Sequence, residues 1–259
     1  MYIALGTVDV TGGYHIVLYD PEDSRVAATC DARNEISILC RAGDSGLVYA
    51  AEDYIYGLKI ERSGSTLTLK ELFWTVASAK VLQLAVVELQ GEKWSIAAGC
   101  ADLYLRIFEN ETFLNEQRMF TKTKLVKLHS FGSYVAALAA TGRFRLYFIE
   151  KDQIKLLSSC ELGQVGDFEL VFKPFAPPLG QSVGTLEAIV GVDAPLPFVI
   201  TMAANGQDGA LLVYTLENQQ LVLKKLLSMA GATQVIRRTS DQDLFALFYS
   251  QYRESFRLS

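Results

Sequence analysis

Histidine and paired cysteines are scarce in this sequence of 259 residues. Its two histidines, His15 and His129, are too few for a metal site with several imidazole ligands. None of its four cysteines forms a Cys-x-x-Cys pair, which argues against a disulfide framework and against a zinc site. The sequence also lacks a phosphate-binding loop, a serine nucleophile elbow and a His-Glu-x-x-His motif. We therefore expect no metal and no cofactor, and reduced thiols that favour a cytoplasmic or nuclear location.

Basic charge and uninterrupted apolar runs are also limited. The chain has 29 acidic and 24 basic residues, and this net charge of −5 argues against direct binding of nucleic acid. Residues 1–6 contain no basic segment ahead of an apolar stretch, so no secretory signal is expected. The most apolar long window, residues 186–204, is interrupted by two acids and two prolines, which argues against membrane insertion. Half of all residues are apolar, so the sequence predicts a folded chain with a substantial core.

An internal repeat is the strongest positive signal. Six short runs of aliphatic and aromatic residues recur, and the first five end in Asp or Glu; they span residues 15–20, 56–61, 104–109, 146–150, 213–217 and 254–259. Their ends lie 41, 48, 41, 67 and 42 residues apart, so three of the five intervals agree within one residue. A period of this length is typical of repeated supersecondary units.

Each repeat contains further strand-like segments. A strand that closes on small residues precedes the first five runs, at Leu5-Gly6, Ala50-Ala51, Ala98-Gly99, Ala139-Ala140 and Ala203-Ala204. Small residues there indicate strands packed closely between neighbouring sheets, where a large side chain would clash. Alternating segments before and after complete the repeat, and no segment shows a helical period with caps. Four strands in about 41 residues predict an all-β chain, a β-propeller of five to six four-stranded blades.

This pattern resembles the WD40-like β-propellers over essentially the whole chain. Tyr19-Asp20, at the end of the first run, is the nearest match to the Trp-Asp dipeptide of that superfamily. The two tryptophans, Trp74 and Trp94, do not end a third strand, and no Gly-His pair opens a repeat. The chain is therefore similar to the Trp-Asp-poor propellers of the damaged-DNA-binding and cleavage-and-polyadenylation factor type. The resemblance implies a single propeller domain over residues 1–259.

The strand count predicts an incomplete blade at each end of the sequence. If the strands of a blade are labelled a to d from the central channel outward, the sequence begins on a b strand and finishes on a c strand. Either five blades close with leftover strands, or six blades form an incompletely closed ring. An open ring would leave a sheet edge that another protein completes by strand addition, as in certain propellers of coat and nuclear-pore complexes, which this chain resembles in unit count only. A strand count wrong by one at each end, or a sequence that is part of a longer protein, would explain the pattern equally well.

A proline-rich insertion of about residues 172–198 lengthens the fifth interval. Five of the six prolines fall within it, and two aromatic residues lie among the first three of them. Such a segment favours an extended surface loop that loses little entropy on binding. We expect Phe172, Lys173, Pro174, Phe175 and Leu179 to bind a partner protein. The alternative is a long a–b connection that folds back over the propeller's own edge.

Basic residues form two further candidate contacts, Lys122 with Lys124 and Arg237 with Arg238. The sequence places both groups at or just after d–a connections, which open onto one face of a WD40-like propeller. Together they would form a local positive patch suited to an acidic peptide or a phosphate group. The alternative is that they are solvated strand edges, where basic residues discourage edge-to-edge aggregation.

Two classes of function remain open at this point. The favoured one is a non-catalytic protein–protein interaction scaffold that is a subunit of a larger assembly. The alternative is a propeller enzyme of hydrolase type, with carboxylates or a metal at the central channel. By position, its candidate residues are Asp44, Glu52, Asp53, Asp102 and Asp208.

Overall fold

The computed structural model describes ten stretches of the chain: residues 2–43, 45–88, 94–162, 165–171, 198–203, 210–218, 220–228, 232–237, 244–249 and 253–257. The regular secondary structure of these residues consists of 22 β-strands. They pair into six antiparallel sheets that follow one another along the sequence. The described residues therefore contain no helix that could cross a membrane. The all-β prediction is confirmed.

The strands of each sheet are consecutive in sequence and lie in sequence order. Sheet 1 contains β1 (Ile3–Val8), β2 (Tyr14–Asp20) and β3 (Arg25–Ala32). Sheet 2 contains β4 (Ile38–Ala42), β5 (Gly46–Ala51), β6 (Tyr54–Ser63) and β7 (Thr66–Val76). Sheet 3 contains β8 (Val81–Glu88), β9 (Trp94–Cys100), β10 (Tyr104–Glu109) and β11 (Thr112–Arg118).

The second half of the sequence continues the same pattern. Sheet 4 contains β12 (Leu125–Phe131), β13 (Tyr134–Ala139), β14 (Arg143–Glu150) and β15 (Gln153–Glu161). Sheet 5 contains β16 (Val165–Val171), β17 (Phe198–Ala203), β18 (Ala210–Glu217) and β19 (Gln220–Ser228). Sheet 6 contains β20 (Ala232–Arg237), β21 (Leu244–Tyr249) and β22 (Arg253–Arg257).

The predicted repeat matches these sheets strand for strand. The acid-terminated runs are β2, β6, β10, β14 and β18, the third strands of their predicted blades, and β22 is the run that ends without an acid. Within the described residues, sheet 1 and sheet 6 have three strands and the other four sheets have four. The predicted absence of a first strand from unit one and of a last strand from unit six agrees with this count.

Local backbone geometry explains why the hairpin turns follow the acids. Asn110, Lys151 and Asn218 each come directly after the terminal acid and have positive φ angles of 53°, 54° and 48°. A residue in the left-handed region reverses the chain in a short turn, and asparagine tolerates that region better than most residues do. The same reversal therefore recurs in sheets 3, 4 and 5.

Tight packing explains the small residues of the second strands. A Cβ added to Gly99 in β9 would collide with the side chain of Leu125 in β12 of the next sheet. Buried side chains of sheets 2 and 3 form one apolar cluster, which includes Val48, Ile55, Ile96 and Phe108. The prediction that small residues mark strands held closely between sheets is confirmed at Gly99.

The chain divides into two compact units, and the division falls within sheet 4. Unit 1 consists of residues 1–135 and 148–155, and unit 2 of residues 136–147 and 156–259. Unit 1 contains the apolar cluster of sheets 2 and 3 and a second apolar cluster, formed by residues of sheets 1 and 2 such as Ile16 and Tyr49. In unit 2, Phe144 and Phe168 are buried and meet edge to face with ring centroids 5.2 Å apart. The prediction of a single domain stays a prediction.

Candidate protein-interaction site

Strand β1 differs from the equivalent strands of the complete sheets. Every residue of β5 is buried, as are all but the first residue of β9 and of β13. In β1, only Ala4 is even partly buried. Ile3 is 43%, Leu5 44% and Val8 62% exposed, although all three are apolar. A strand whose counterparts form the interior is thus exposed in sheet 1.

The outer edge of β1 has no strand beside it among the described residues. Strand β1 pairs with β2 alone, from Ile3 opposite Tyr19 to Val8 opposite Tyr14. Its sequence contains no charged residue and no proline, the two features that most often protect a sheet edge. The outermost strands of sheets 1 to 5, β3, β7, β11, β15 and β19, each carry at least two charged residues. Within the described part of the chain, β1 therefore lacks the charged residues that these outer strands carry.

The two faces of β1 have different surroundings. Ala4 packs against the apolar cluster shared by sheets 1 and 2, and a Cβ added to Gly6 would lie 3.3 Å from Ile36. Ile3 and Leu5 lie on the opposite face, because side chains alternate along a strand. That face carries exposed apolar area directly beside the free backbone edge.

A polar cluster lies at the end of this face, where β1 turns into β2. His15 Nε2 lies 2.9 Å from Asp9 Oδ2, and His15 Nδ1 lies 3.0 Å from Asp31 Oδ1. The other oxygen of Asp9, Oδ1, accepts hydrogen bonds from Thr11 N, Thr11 Oγ1 and Gly13 N at 2.8, 2.7 and 2.9 Å. The cluster therefore holds the hairpin turn between β1 and β2 in one conformation.

Hydrogen bonds and charge shift the titration of this cluster. The bond to His15, followed by those from Thr11 and Gly13, holds the pKa of Asp9 well below its usual value. The hydrogen bond to Asp9 is the largest effect on His15 and raises its pKa; desolvation opposes this rise, and the hydrogen bond to Asp31 adds a smaller increase. Both ring nitrogens of His15 face carboxylate oxygens, which only accept hydrogen bonds, so a protonated imidazole donates to both, and the cluster then carries one net negative charge at this end of β1.

The other end of β1 is also acidic. Asp20, opposite the start of β1, accepts a hydrogen bond from the backbone N of Glu22 at 3.1 Å. Asp23 lies 3.1 Å from Arg25, which is the cation of this turn. Residues 2–36 contain six carboxylates and two arginines in a chain whose whole net charge is −5. Most of the excess negative charge therefore belongs to sheet 1.

The predicted contact residues fall partly outside this region. Phe172, Lys173, Pro174, Phe175, Leu179 and Arg238 lie outside the described residues. Lys122 and Lys124 are exposed in the connection between β11 and β12, which is the d–a position that the sequence predicted. Arg237 is the last residue of β20, at the end that leads to β21. The d–a connection comes before β20, so Arg237 lies at the opposite end of that strand, and its role as a contact residue stays a prediction.

Two of the acids proposed for an enzyme, Asp102 and Glu52, are engaged in structural contacts. Arg106 is buried and makes two bonds to Asp102, at 2.9 and 2.6 Å, and one to Glu116, at 2.9 Å. Glu52, in the β5–β6 turn, lies 3.3 Å from Lys80. Asp44 and Asp208 lie outside the described residues, and within those residues no group of three or more His, Cys, Asp and Glu side chains could hold a metal ion.

The four cysteines and the two histidines lie in strands of sheets 1 to 4. All four cysteines are free. Burial raises the pKa of Cys40 to about 11 and that of Cys160 to about 11. Burial also raises the pKa of Cys100, although the neighbouring Arg106 acts in the opposite direction. His15 lies in β2 and His129 in β12, both within strands.

Sequence reasoning missed the cluster of Asp9, His15 and Asp31. Asp9 and His15 are 6 positions apart in the sequence, and His15 and Asp31 are 16 positions apart, so no short motif joins all three. The register of the hairpins brings them together, since Thr7 lies opposite His15 and His15 opposite Asp31. A signal was present in Asp9-x-x-Gly12-Gly13, which is a turn sequence with an aspartate at its start.

Comparison with known proteins identifies the fold. No protein-family model matches the sequence, and no curated protein matches it. Among solved structures, the chain is similar to the WD40 domain of Toxoplasma gondii coronin, with a TM-score of 0.65 and 13% sequence identity. The match covers 99% of this chain and 67% of the other. This likeness shows that the chain has a β-propeller fold.

Proposed function

We propose that this chain is a non-catalytic interaction scaffold, a subunit of a larger assembly, and that it binds another protein by strand addition along β1. One observation carries the proposal: β1 is exposed, whereas the strands at the same position in sheets 2, 3 and 4 are buried. A fold of this kind does not by itself decide a function, whereas an exposed strand edge is a specific binding site.

Strand addition would stabilise β1 in two ways. The unpaired backbone groups along its outer edge would gain hydrogen bonds, which are the usual source of affinity in this binding mode. Covering the exposed parts of Ile3, Leu5 and Val8 would contribute roughly 1 kcal/mol each, about half the value for complete burial. The complete sheets provide a model for the added strand. In sheet 2, β4 is a strand of five residues that pairs antiparallel with β5, the counterpart of β1.

The proline-rich segment remains a second proposed contact. The sequence supports it through Phe172 and Phe175, which would serve as apolar anchors next to prolines. It is separable from the β1 contact by mutation. Replacement of both phenylalanines by alanine would release a partner held by that segment, and Leu5→Lys would release a partner held by β1.

The experiment combines capture of the partner with amide exchange. The tagged chain is purified from native extract as wild type, as Leu5→Lys and as Val26→Lys, and the partner is then mixed with the purified chain. Val26 is the matched control because it is an exposed valine, 57% accessible, on the outer strand of the same sheet. We expect Leu5→Lys to lose the partner and Val26→Lys to keep it.

Hydrogen exchange decides whether the contact is a strand addition. In the complex, the amides of β1 should gain protection, while those of β5, which are already within a complete sheet, should change little. A complex that forms equally well with Leu5→Lys, and that leaves the exchange of β1 amides unchanged, would contradict the proposal.

A further inference from the structure

The charges around β1 restrict what can pair with it. Both ends of the strand lie beside an excess of acidic residues: Asp9 and Asp31 flank His15 at one end, and the turn at residues 20–25 at the other end contains three acids, of which Asp20 is buried, and one arginine. Between these ends, residues 2–8 carry no charge. A neighbour therefore meets an apolar edge with an acidic group at each end.

A second copy of this chain fits that edge poorly. If β1 paired antiparallel with β1 of a second copy, the Asp9 end of each copy would lie against the Asp20 end of the other. Like charges brought together in this way repel, and such contacts are a common means of excluding a wrong partner. The edge therefore favours a different protein.

We propose that the strand added to β1 comes from another protein, is apolar at its centre and carries lysine or arginine at both ends. This inference rests on the proposed strand addition and concerns the chemistry of the partner. Its orientation follows from the complete sheets, in which the first strand is antiparallel to the second, as β4 is to β5 and β8 to β9. We expect a length of five to eight residues, because β4 has five residues and β8 has eight.

Asp31 is the most suitable residue at which to remove a negative charge from the end of β1 without disturbing the fold. Its side chain is 93% exposed, and it contacts His15 at the end of the sheet. Asp31→Asn removes one negative charge and leaves the Asp9 turn in place. Glu111→Gln is the matched control, because it removes a charge from an exposed turn in sheet 3.

The probes are capped peptides with a shared core of alternating valine and threonine. One has lysines at both ends, one has glutamates there, and a third has the lysines together with N-methyl groups on alternate core amides. Binding is measured by fluorescence anisotropy at low and at high salt. We expect the lysine peptide to bind about tenfold more tightly than the glutamate peptide at low salt, and the advantage to fall below about threefold at high salt.

The two variants and the N-methylated peptide separate the possible results. Asp31→Asn should reduce the lysine advantage by about threefold, and Glu111→Gln should leave it unchanged. If the lysine and glutamate peptides bind equally well and the N-methylated peptide does not bind, the charge inference is wrong and strand addition is supported. No binding of either peptide, together with unchanged β1 exchange in the native complex, would overturn both. A dimer of this chain that Leu5→Lys abolishes would assign the edge to a second copy and overturn the inference.

Discussion

Sheets 1 and 3 are built from the same repeat but differ in what surrounds their strands. In sheet 3, β9 lies between two strands and two sheets, and its small residues allow the close approach of Leu125. In sheet 1, the corresponding strand β1 has a strand on one side only, among the described residues. The comparison shows that a repeat sets the shape of a strand, whereas its contribution to stability depends on its neighbours.

The largest difference is expected for isoleucine on the two equivalent strands. Ile96 in β9 is fully buried, and Ile3 in β1 is 43% exposed. Ile96→Ala should lower the free energy of unfolding by about 2–5 kcal/mol, because it leaves a cavity as well as removing apolar contacts. Ile3→Ala should lower it by less than about 1 kcal/mol. Urea denaturation of both variants measures the contrast, and equal losses would show that β1 is part of the core.

The next contrast concerns two arginines. Arg106 in sheet 3 is buried between Asp102 and Glu116, whereas Arg25 in sheet 1 forms an exposed pair with Asp23. Arg106→Ala should cost about 2–3 kcal/mol of stability, since it leaves two carboxylates without their cation. Arg25→Ala should cost less than about 1 kcal/mol. Thermal melts compare the two, and a small effect at Arg106 would mean that solvent replaces the guanidinium readily.

A smaller contrast is expected between two glycines. A Cβ at Gly99 would collide with Leu125, and one at Gly6 would meet Ile36 at 3.3 Å, a distance that a small shift accommodates. Gly99→Ala should therefore lose about 1–2 kcal/mol, and Gly6→Ala about half of that or less. Differential scanning calorimetry resolves this difference. A reversed order would contradict the close packing of β9 against sheet 4.

The smallest effect should be the pH dependence that His15 contributes. Because the pKa of His15 is raised above its usual 6.5 in the folded chain, its contribution to stability is fully present below pH 6.5. It is lost as the pH rises through the folded pKa. The difference in melting temperature between wild type and His15→Gln should therefore be larger near pH 5 than near pH 8.5. In the Asp31→Asn background, the loss of melting temperature caused by His15→Gln should be smaller. A loss of melting temperature that grows as the pH rises would contradict the predicted direction.

Much of the fold was predictable because its signals are local. The terminal acids, the small-residue pairs and the turn residues each act within a few positions, so the strands and the two three-stranded sheets could be read from their order. Strand ends were less predictable. Strand β7 runs to Val76 and includes Trp74, because pairing with β6 continues beyond the alternating segment.

The candidate site was predictable only in part. An unpaired edge followed from counting strands, and the position of Lys122 and Lys124 followed from the order of the sheets. The acidic cluster did not, and neither did the buried pair of Arg106 with Glu116, since both depend on which residues face each other across strands.

The amino-acid sequence alone determined the all-β class, the repeat and the strand order, including the three described strands of sheet 1, since these depend on alternation and turn chemistry along the chain. The tertiary structure decided that β1 is exposed and that carboxylates gather at both of its ends. Exposure and charge clustering arise from contacts between residues distant in sequence, and register brings such residues together.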